Sequence, residues 1–291
     1  MIEQYIKDQQ LNLNSILIDR LNQLNIPDDF KQAVFYSIEA GGKRLRPILM
    51  MVTYEAFKNN TDKIVDPAIA LEMIHTYSLI HDDLPAMDDD DFRRGQATLH
   101  RRFDEATAIL VGDGLLTYAF NVVSTSSQLE AEEKIYTIQQ LSQSAGYEGM
   151  IAGQHLDLKA EDRQLEETEL NDIHQLKTGA IIRAAIKIGA YLGGATPPQI
   201  EALDEFGKYL GLVFQIQDDI LDVEGDIAVI GKPVGSDEER NKSTYPQILG
   251  LDEAMKIKEK YMGLAKEKYG ESGIDQPLLL ELLDVFGNRH S

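Results

Sequence analysis

Cysteine is absent from all 291 residues, so neither a disulfide framework nor thiolate catalysis is available, and the chain suits a reducing compartment. Cations are scarce: 28 Lys and Arg stand against 49 Asp and Glu, a net charge of −21. A charge that acidic argues against nucleic acid and anionic membrane surfaces as partners, because both require a basic face. No uninterrupted apolar run approaches the ~18–20 residues needed to cross a bilayer. The opening Met1-Ile2-Glu3-Gln4 lacks a basic region leading into an apolar core. A soluble, cytoplasmic protein without a membrane span is expected. No Pro/Ser/Gly-rich linker and no shift of composition divides the chain, so residues 1–291 are expected to form a single domain. Convincing β-periodicity, fixed repeats and low-complexity segments are missing too, which leaves an all-α architecture.

What is present in excess is acid, and it is concentrated. The run Leu79-Ile80-His81-Asp82-Asp83-Leu84-Pro85-Ala86-Met87-Asp88-Asp89-Asp90-Asp91 is an apolar helical stretch ending in six carboxylates. These repel one another and the negative end of their own helix, so the cluster calls for a cation. Pro85 interrupts the helical ladder and lets Asp82, Asp83 and Asp88 converge. Aspartates with open water positions suit Mg²⁺ holding a phosphorylated ligand, whereas the register of an EF-hand loop is absent. A solvated acidic turn is the competing reading for one such run, but Asp218-Asp219-Ile220-Leu221-Asp222 repeats the pattern. There Gln215, Asp218, Asp219 and Asp222 fall at i, i+3, i+4 and i+7, a single stripe of metal-type ligands.

The few cations are grouped as well. Lys43-Arg44-Leu45-Arg46-Pro47 follows Gly41-Gly42, and Arg93-Arg94-Gly95 follows the first acidic run. Glycine allows close backbone approach and guanidinium forks onto phosphate, so both are candidate anion sites. A favourable charge at a helix end and neutralisation of the aspartates remain the alternatives for these two groups. His75 precedes Asp82 by seven residues and shares its helical face; Tyr77 lies five residues before it. Expected helices cover 4–24, 28–40, 47–57, 66–84 with Asp66-Pro67 as its start, 104–125, 131–144, 146–158, 169–192 and a run from Pro197 behind the Thr196-Gln199 capping box. Gln154 and Asp157 share a face of the 146–158 helix. Residues 223–245, with Lys232 and Lys242, read as a mobile basic loop before helices at 251–268 and 276–286.

In that order, Gly41 to Pro47, Asp82 to Asp88, Arg93-Arg94-Gly95, Lys177-Thr178-Gly179, Phe214 to Asp222, Gly231-Lys232 and Lys242 to Pro246 resemble the trans-isoprenyl diphosphate synthases, in particular the bacterial farnesyl type. The resemblance covers nearly the whole chain. Ala97 stands where the family has proline after Arg-Arg-Gly, and Phe286-Gly287-Asn288-Arg289 is not its usual ending.

The resemblance implies a bundle of about ten core helices around a central cavity, forming a homodimer. In it the two acidic motifs face each other and hold three Mg²⁺, replaceable by Mn²⁺, against an allylic diphosphate. Asp82, Asp88 and Asp218 become metal ligands assisted by Asp83, Asp219 and Asp222. Arg93, Lys177, Thr178, Gln215 and Lys232 contact the allylic substrate, with Lys242 beside them. Gly42, Lys43, Arg46, His75 and Arg94 hold isopentenyl diphosphate, and Tyr77 and Ser78 limit product length. No side-chain general base stands out. Three rivals are a geranylgeranyl diphosphate synthase, a class I terpene cyclase, which has no use for an isopentenyl diphosphate site, and a non-catalytic helical partner subunit.

Overall fold

The structure, a computed structural model, describes residues 2–160, 163–224 and 243–288. Helices dominate: α1 (Ile2–Asn22), α2 (Asp28–Glu39), α3 (Leu45–Glu55), α4 (Asp62–Asp82), α5 (Leu99–Arg102), α6 (Glu105–Thr125), α7 (Ala131–Ala145), α8 (Met150–Ala160), α9 (Glu167–His174), α10 (Ala180–Gly193), α11 (Pro197–Glu224), α12 (Tyr245–Leu249), α13 (Leu251–Ser272) and α14 (Pro277–Asn288). Among the described residues the extended structure is one small hairpin, β1 (Phe92–Arg93) with β2 (Gln96–Ala97).

The chain forms two compact units: Met1–Ile48 with Asp62–Ile138, and Leu49–Thr61 with Gln139–Ser291. Two of their boundaries fall inside α3 and α7, and the third lies at the start of α4. In the first unit α4 is buried almost all round from Ile64 to Ile80 and packs on α6. Gly112 lets the two close up, since a Cβ there would lie 2.2 Å from His81 Nε2. By length and composition α6 could cross a membrane, yet Ala108, Val111, Leu115, Ala119 and Val122 are buried. It is a core helix whose outward side exposes Ile109 and Leu110 beside Asp113, Thr117 and Asn121.

In the second unit α11 is the hub, packed on α10, α13 and α14. Arg183 grips Asp204 through two bonds of 2.8 and 2.5 Å, fixing α10 against α11. The expected capping box holds: Gln199 Oε1 accepts from both the backbone N–H and the hydroxyl of Thr196 at 3.0 Å.

Three local expectations are corrected. Asp66-Pro67 does not start a helix, because α4 begins at Asp62 and Pro67 lies within it. Asp66 is buried and accepts a 2.5 Å bond from Arg20 of α1. The predicted 169–192 helix is broken by a π-helical turn at Gln175–Gly179, the turn that carries Lys177 and Thr178. The hairpin arises from Arg94 and Gly95, whose φ values of 54° and 75° suit a tight two-residue turn.

Candidate active site

The first unit assembles a cationic cradle around the glycine pair. Gly41 and Gly42 have φ of 80° and 139°. Gln10 Nε2 donates to the Gly42 carbonyl at 2.5 Å, and Arg94 donates to that of Gly41. The Arg94 guanidinium lies so close over Gly42 that a Cβ there would stand 2.5 Å from Nη1. Both conformation and space therefore demand glycine. Arg44 turns inward and is structural: it is 3% exposed and bonds Glu72 at 2.6 Å, Asn14 at 2.8 Å and the Ile38 carbonyl at 2.9 Å. Lys43 is left exposed and Arg46 half-buried.

Arg46 Nη1 lies 3.2 Å from His75 Nε2. Guanidinium only donates, so this nitrogen accepts and the imidazole proton sits on Nδ1. Burial, then the charges of Arg46, Arg94, Arg93 and Arg44, hold His75 well below the usual histidine range. The imidazole is neutral at pH 7 in the folded chain, whereas the unfolded chain protonates it below about pH 6.5. Stability from this group is therefore lost as pH falls through that value, by at most about 1.4 kcal/mol per pH unit. Urea-unfolding midpoints between pH 7.5 and 5.5 should fall less steeply for His75→Gln; an unchanged slope would show that His75 titrates normally.

The first acidic motif closes into a loop. The N–H of Asp88 donates to the carbonyl of Asp82 at 2.9 Å, bringing together the two aspartates that flank Pro85. Asp83 is 4% exposed and accepts on one carboxylate oxygen from Arg93 Nε at 2.7 Å and Nη2 at 2.5 Å. Burial disfavours the Arg93 charge, but Asp83, with Asp82 and Asp90 behind it, outweighs that and raises its pKa. The hairpin is tied to α2 by the Tyr36 hydroxyl, which donates to the Ala97 carbonyl at 2.7 Å. Asp91 pairs with Arg101, which also lies 3.7 Å from Asp89. Below the motif, Tyr77 is 5% exposed and meets the His81 ring edge-on at 5.5 Å. Its hydroxyl has no hydrogen-bond partner among the described residues, and burial followed by Asp82 pushes its pKa up to about 12. Ser78 donates to the His75 carbonyl at 2.9 Å.

The second unit holds the other motif. Gln215, Asp218 and Asp222 are partly exposed along α11. Asp219 is turned inward: it accepts from the Tyr245 N–H at 3.0 Å and lies 3.8 Å from His174 Nε2. Burial raises its pKa against the opposing pull of His174. Like Asp83, it is buried and engaged through one carboxylate oxygen. Lys177, on the π-helical turn, pairs with Asp157 of α8 at 2.7 Å. Gly153 permits this approach, since a Cβ there would be 2.2 Å from the Lys177 nitrogen. Thr178 is buried beside it. Gln154, which sequence reasoning placed on a face but gave no role, has both amide atoms buried without a partner among the described residues. Lys232 and Lys242 lie outside the described residues.

Among the described residues no three carboxylate or imidazole groups are gathered tightly enough to hold an ion alone. Mg²⁺ keeps several waters and takes one or two carboxylates plus phosphate oxygens, so the Asp82–Asp88 loop and the partly exposed Asp218 and Asp222 fit its needs.

The family model for polyprenyl synthetases matches residues 27–275. Over 290 residues the chain is 43% identical to a farnesyl diphosphate synthase of Geobacillus stearothermophilus, covering 99% of this chain and 98% of that one. Its structure is similar to geranyltransferase from Legionella pneumophila, with a TM-score of 0.86, 35% identity and coverage of 99% and 98%. Similarity extends to the geranyltransferase from Helicobacter pylori complexed with magnesium and isoprenyl diphosphate, with a TM-score of 0.82, 32% identity and coverage of 96% and 95%. The chain, with its paired aspartate motifs and its glycine-rich cationic cradle, belongs to the polyprenyl synthetase family.

Proposed function

We propose that this protein is a prenyltransferase that condenses isopentenyl diphosphate with dimethylallyl and geranyl diphosphates to give farnesyl diphosphate. The observation that carries this reading is the juxtaposition, in a chain of net charge −21, of the closed Asp82–Asp88 loop with Arg46, His75, Arg93 and Arg94. Asp82, Asp88, Asp218 and Asp222 supply carboxylates for Mg²⁺. Asp83 and Asp219 act from behind, the first by orienting Arg93 and the second by anchoring Tyr245. When bound, Mg²⁺ supplies positive charge that favours departure of the allylic diphosphate. Arg93, Lys177 and Thr178 bind that diphosphate with Gln215, Lys232 and Lys242. Lys43, Arg46 and Arg94 hold isopentenyl diphosphate at the glycine pair, and neutral His75 orients Arg46. The allylic carbon–oxygen bond breaks, the double bond of isopentenyl diphosphate attacks the resulting cation, and the departed diphosphate takes the proton lost.

Labelled isopentenyl diphosphate, geranyl diphosphate and Mg²⁺ should yield farnesyl diphosphate on chromatography of the dephosphorylated products; a geranylgeranyl product would move the chain to the longer synthases. Arg46→Ala and His75→Ala should each raise KM for isopentenyl diphosphate by about ten- to a hundredfold, the scale of a lost charge-assisted hydrogen bond, and leave that for geranyl diphosphate nearly unchanged. Equal effects on both substrates would overturn the assignment.

The working form is one catalytic domain per chain in a cytoplasmic homodimer. The exposed apolar pair Ile109 and Leu110 on α6 supports the dimer, since side chains of that size gain from cover. Sedimentation should give twice the chain mass of 32.6 kDa.

A further inference from the structure

The end of α14 is seated on α11 unusually closely. Phe286 is buried against Phe214, ring centroids 5.3 Å apart. At Gly287 a Cβ would stand 2.8 Å from Met262 Sδ and 3.1 Å from Val213 Cγ1, so the helix end lies directly against these side chains. From α13, Lys258 Nζ donates at 2.9 Å to the Gly287 carbonyl and at 2.9 Å to Gln217 Oε1. The Gly287 carbonyl belongs to the last turn of α14, where carbonyls lack intrahelical partners and the helix end is negative, so an ammonium there is doubly favourable. Gln217 is buried and is joined by its peptide bond to Asp218.

We infer that Lys258 is a positioning residue: it straps the C-terminal helix to the turn of α11 that carries Asp218, making the placement of the second aspartate motif depend on a docked C-terminus. The inference rests on the synthase reading and deepens it. Loss of the strap leaves two buried acceptors without this donor and allows α14 to lift from Val213 and Phe214. The Asp218–Asp222 stripe then loses the support that holds its orientation, and diphosphate binding through Mg²⁺ weakens although no ligand has been removed. Groups that orient metal ligands commonly matter in this way.

Lys258→Met tests it, since methionine keeps most of the apolar stem and removes the charge. Hydrogen exchange in the last turn of α14 should quicken by about tenfold. Calorimetric affinity for inorganic pyrophosphate with MgCl₂ should fall by about tenfold, and KM for isopentenyl diphosphate should stay at the wild-type value. Lys258→Arg should restore most of both effects. Gln217→Met, which keeps the Gly287 bond, should weaken pyrophosphate binding without loosening α14, and carries the test should Lys258→Met not fold. Wild-type pyrophosphate affinity in Lys258→Met or in Gln217→Met would overturn the strap. Absence of prenyl transfer by the wild-type protein would instead overturn the synthase reading.

Discussion

Asp82→Ala and Asp218→Ala should each lower kcat by about 10²–10³-fold or more, with far smaller changes in fold stability. In the ground state the allylic diphosphate already carries its charge, but in the transition state a further unit gathers on the leaving oxygen. Groups that stabilise that extra charge act on kcat rather than on binding alone. Asp82 sits at the mouth of the loop closed by the Asp88 N–H, and Asp218 lies partly exposed on α11; these are the carboxylates that the proposed mechanism assigns to bound Mg²⁺. Asp83→Asn gives the contrast. Its oxygen would still accept from Arg93, so the loss should be smaller than for Asp82→Ala. Full turnover in excess chelator, or an Asp218→Ala enzyme as fast as wild type, would remove the metal-assisted mechanism.

Tyr77→Ala should move the product from farnesyl diphosphate toward geranylgeranyl diphosphate or longer chains. In the proposed mechanism the growing tail runs away from the aspartates, so a ring one to two turns below them would set how much chain fits. Forcing extra carbons into a filled space costs about 1–3 kcal/mol, which is roughly ten- to hundredfold discrimination against the longer product. Tyr77 is 5% exposed and its hydroxyl makes no hydrogen bond among the described residues, so a role in product length would rest on its volume rather than its polarity. Tyr77→Phe should therefore keep the farnesyl product and equal or exceed the wild-type melting temperature. The contact with His81 allows another outcome, in which Tyr77 only packs helices. An active Tyr77→Ala enzyme that still stops at farnesyl diphosphate, with a lowered melting temperature, would establish that instead.

Much of this was legible in the residues. Apolar spacing, capping signals and glycine stops placed the helices, because such cues act over a few residues and need no distant partner. The repeated Asp-Asp motif implied cations for the same reason: like charges so close in sequence repel whatever the fold. Burial of particular polar groups was not legible. Asp66 reads as a cap and is a buried partner of Arg20; Arg44 reads like its neighbours and is locked onto Glu72. The π-helical turn under Lys177 left no sequence signal, since it lies where α8, at Gly153, presses on the Leu176–Lys177 backbone, a contact between residues distant in sequence.

The sequence by itself determined the all-α class and the family, since pattern and local repulsion are properties of neighbours along the chain. Tertiary structure alone decided which carboxylate in each Asp-Asp pair turns inward. On a helix, adjacent residues point about 100° apart, so only one of each pair lies toward the packed interior, and which one depends on the helices that cover it. Arg93 and the Tyr245 N–H claim Asp83 and Asp219, while Asp82 and Asp218 keep the more exposed positions.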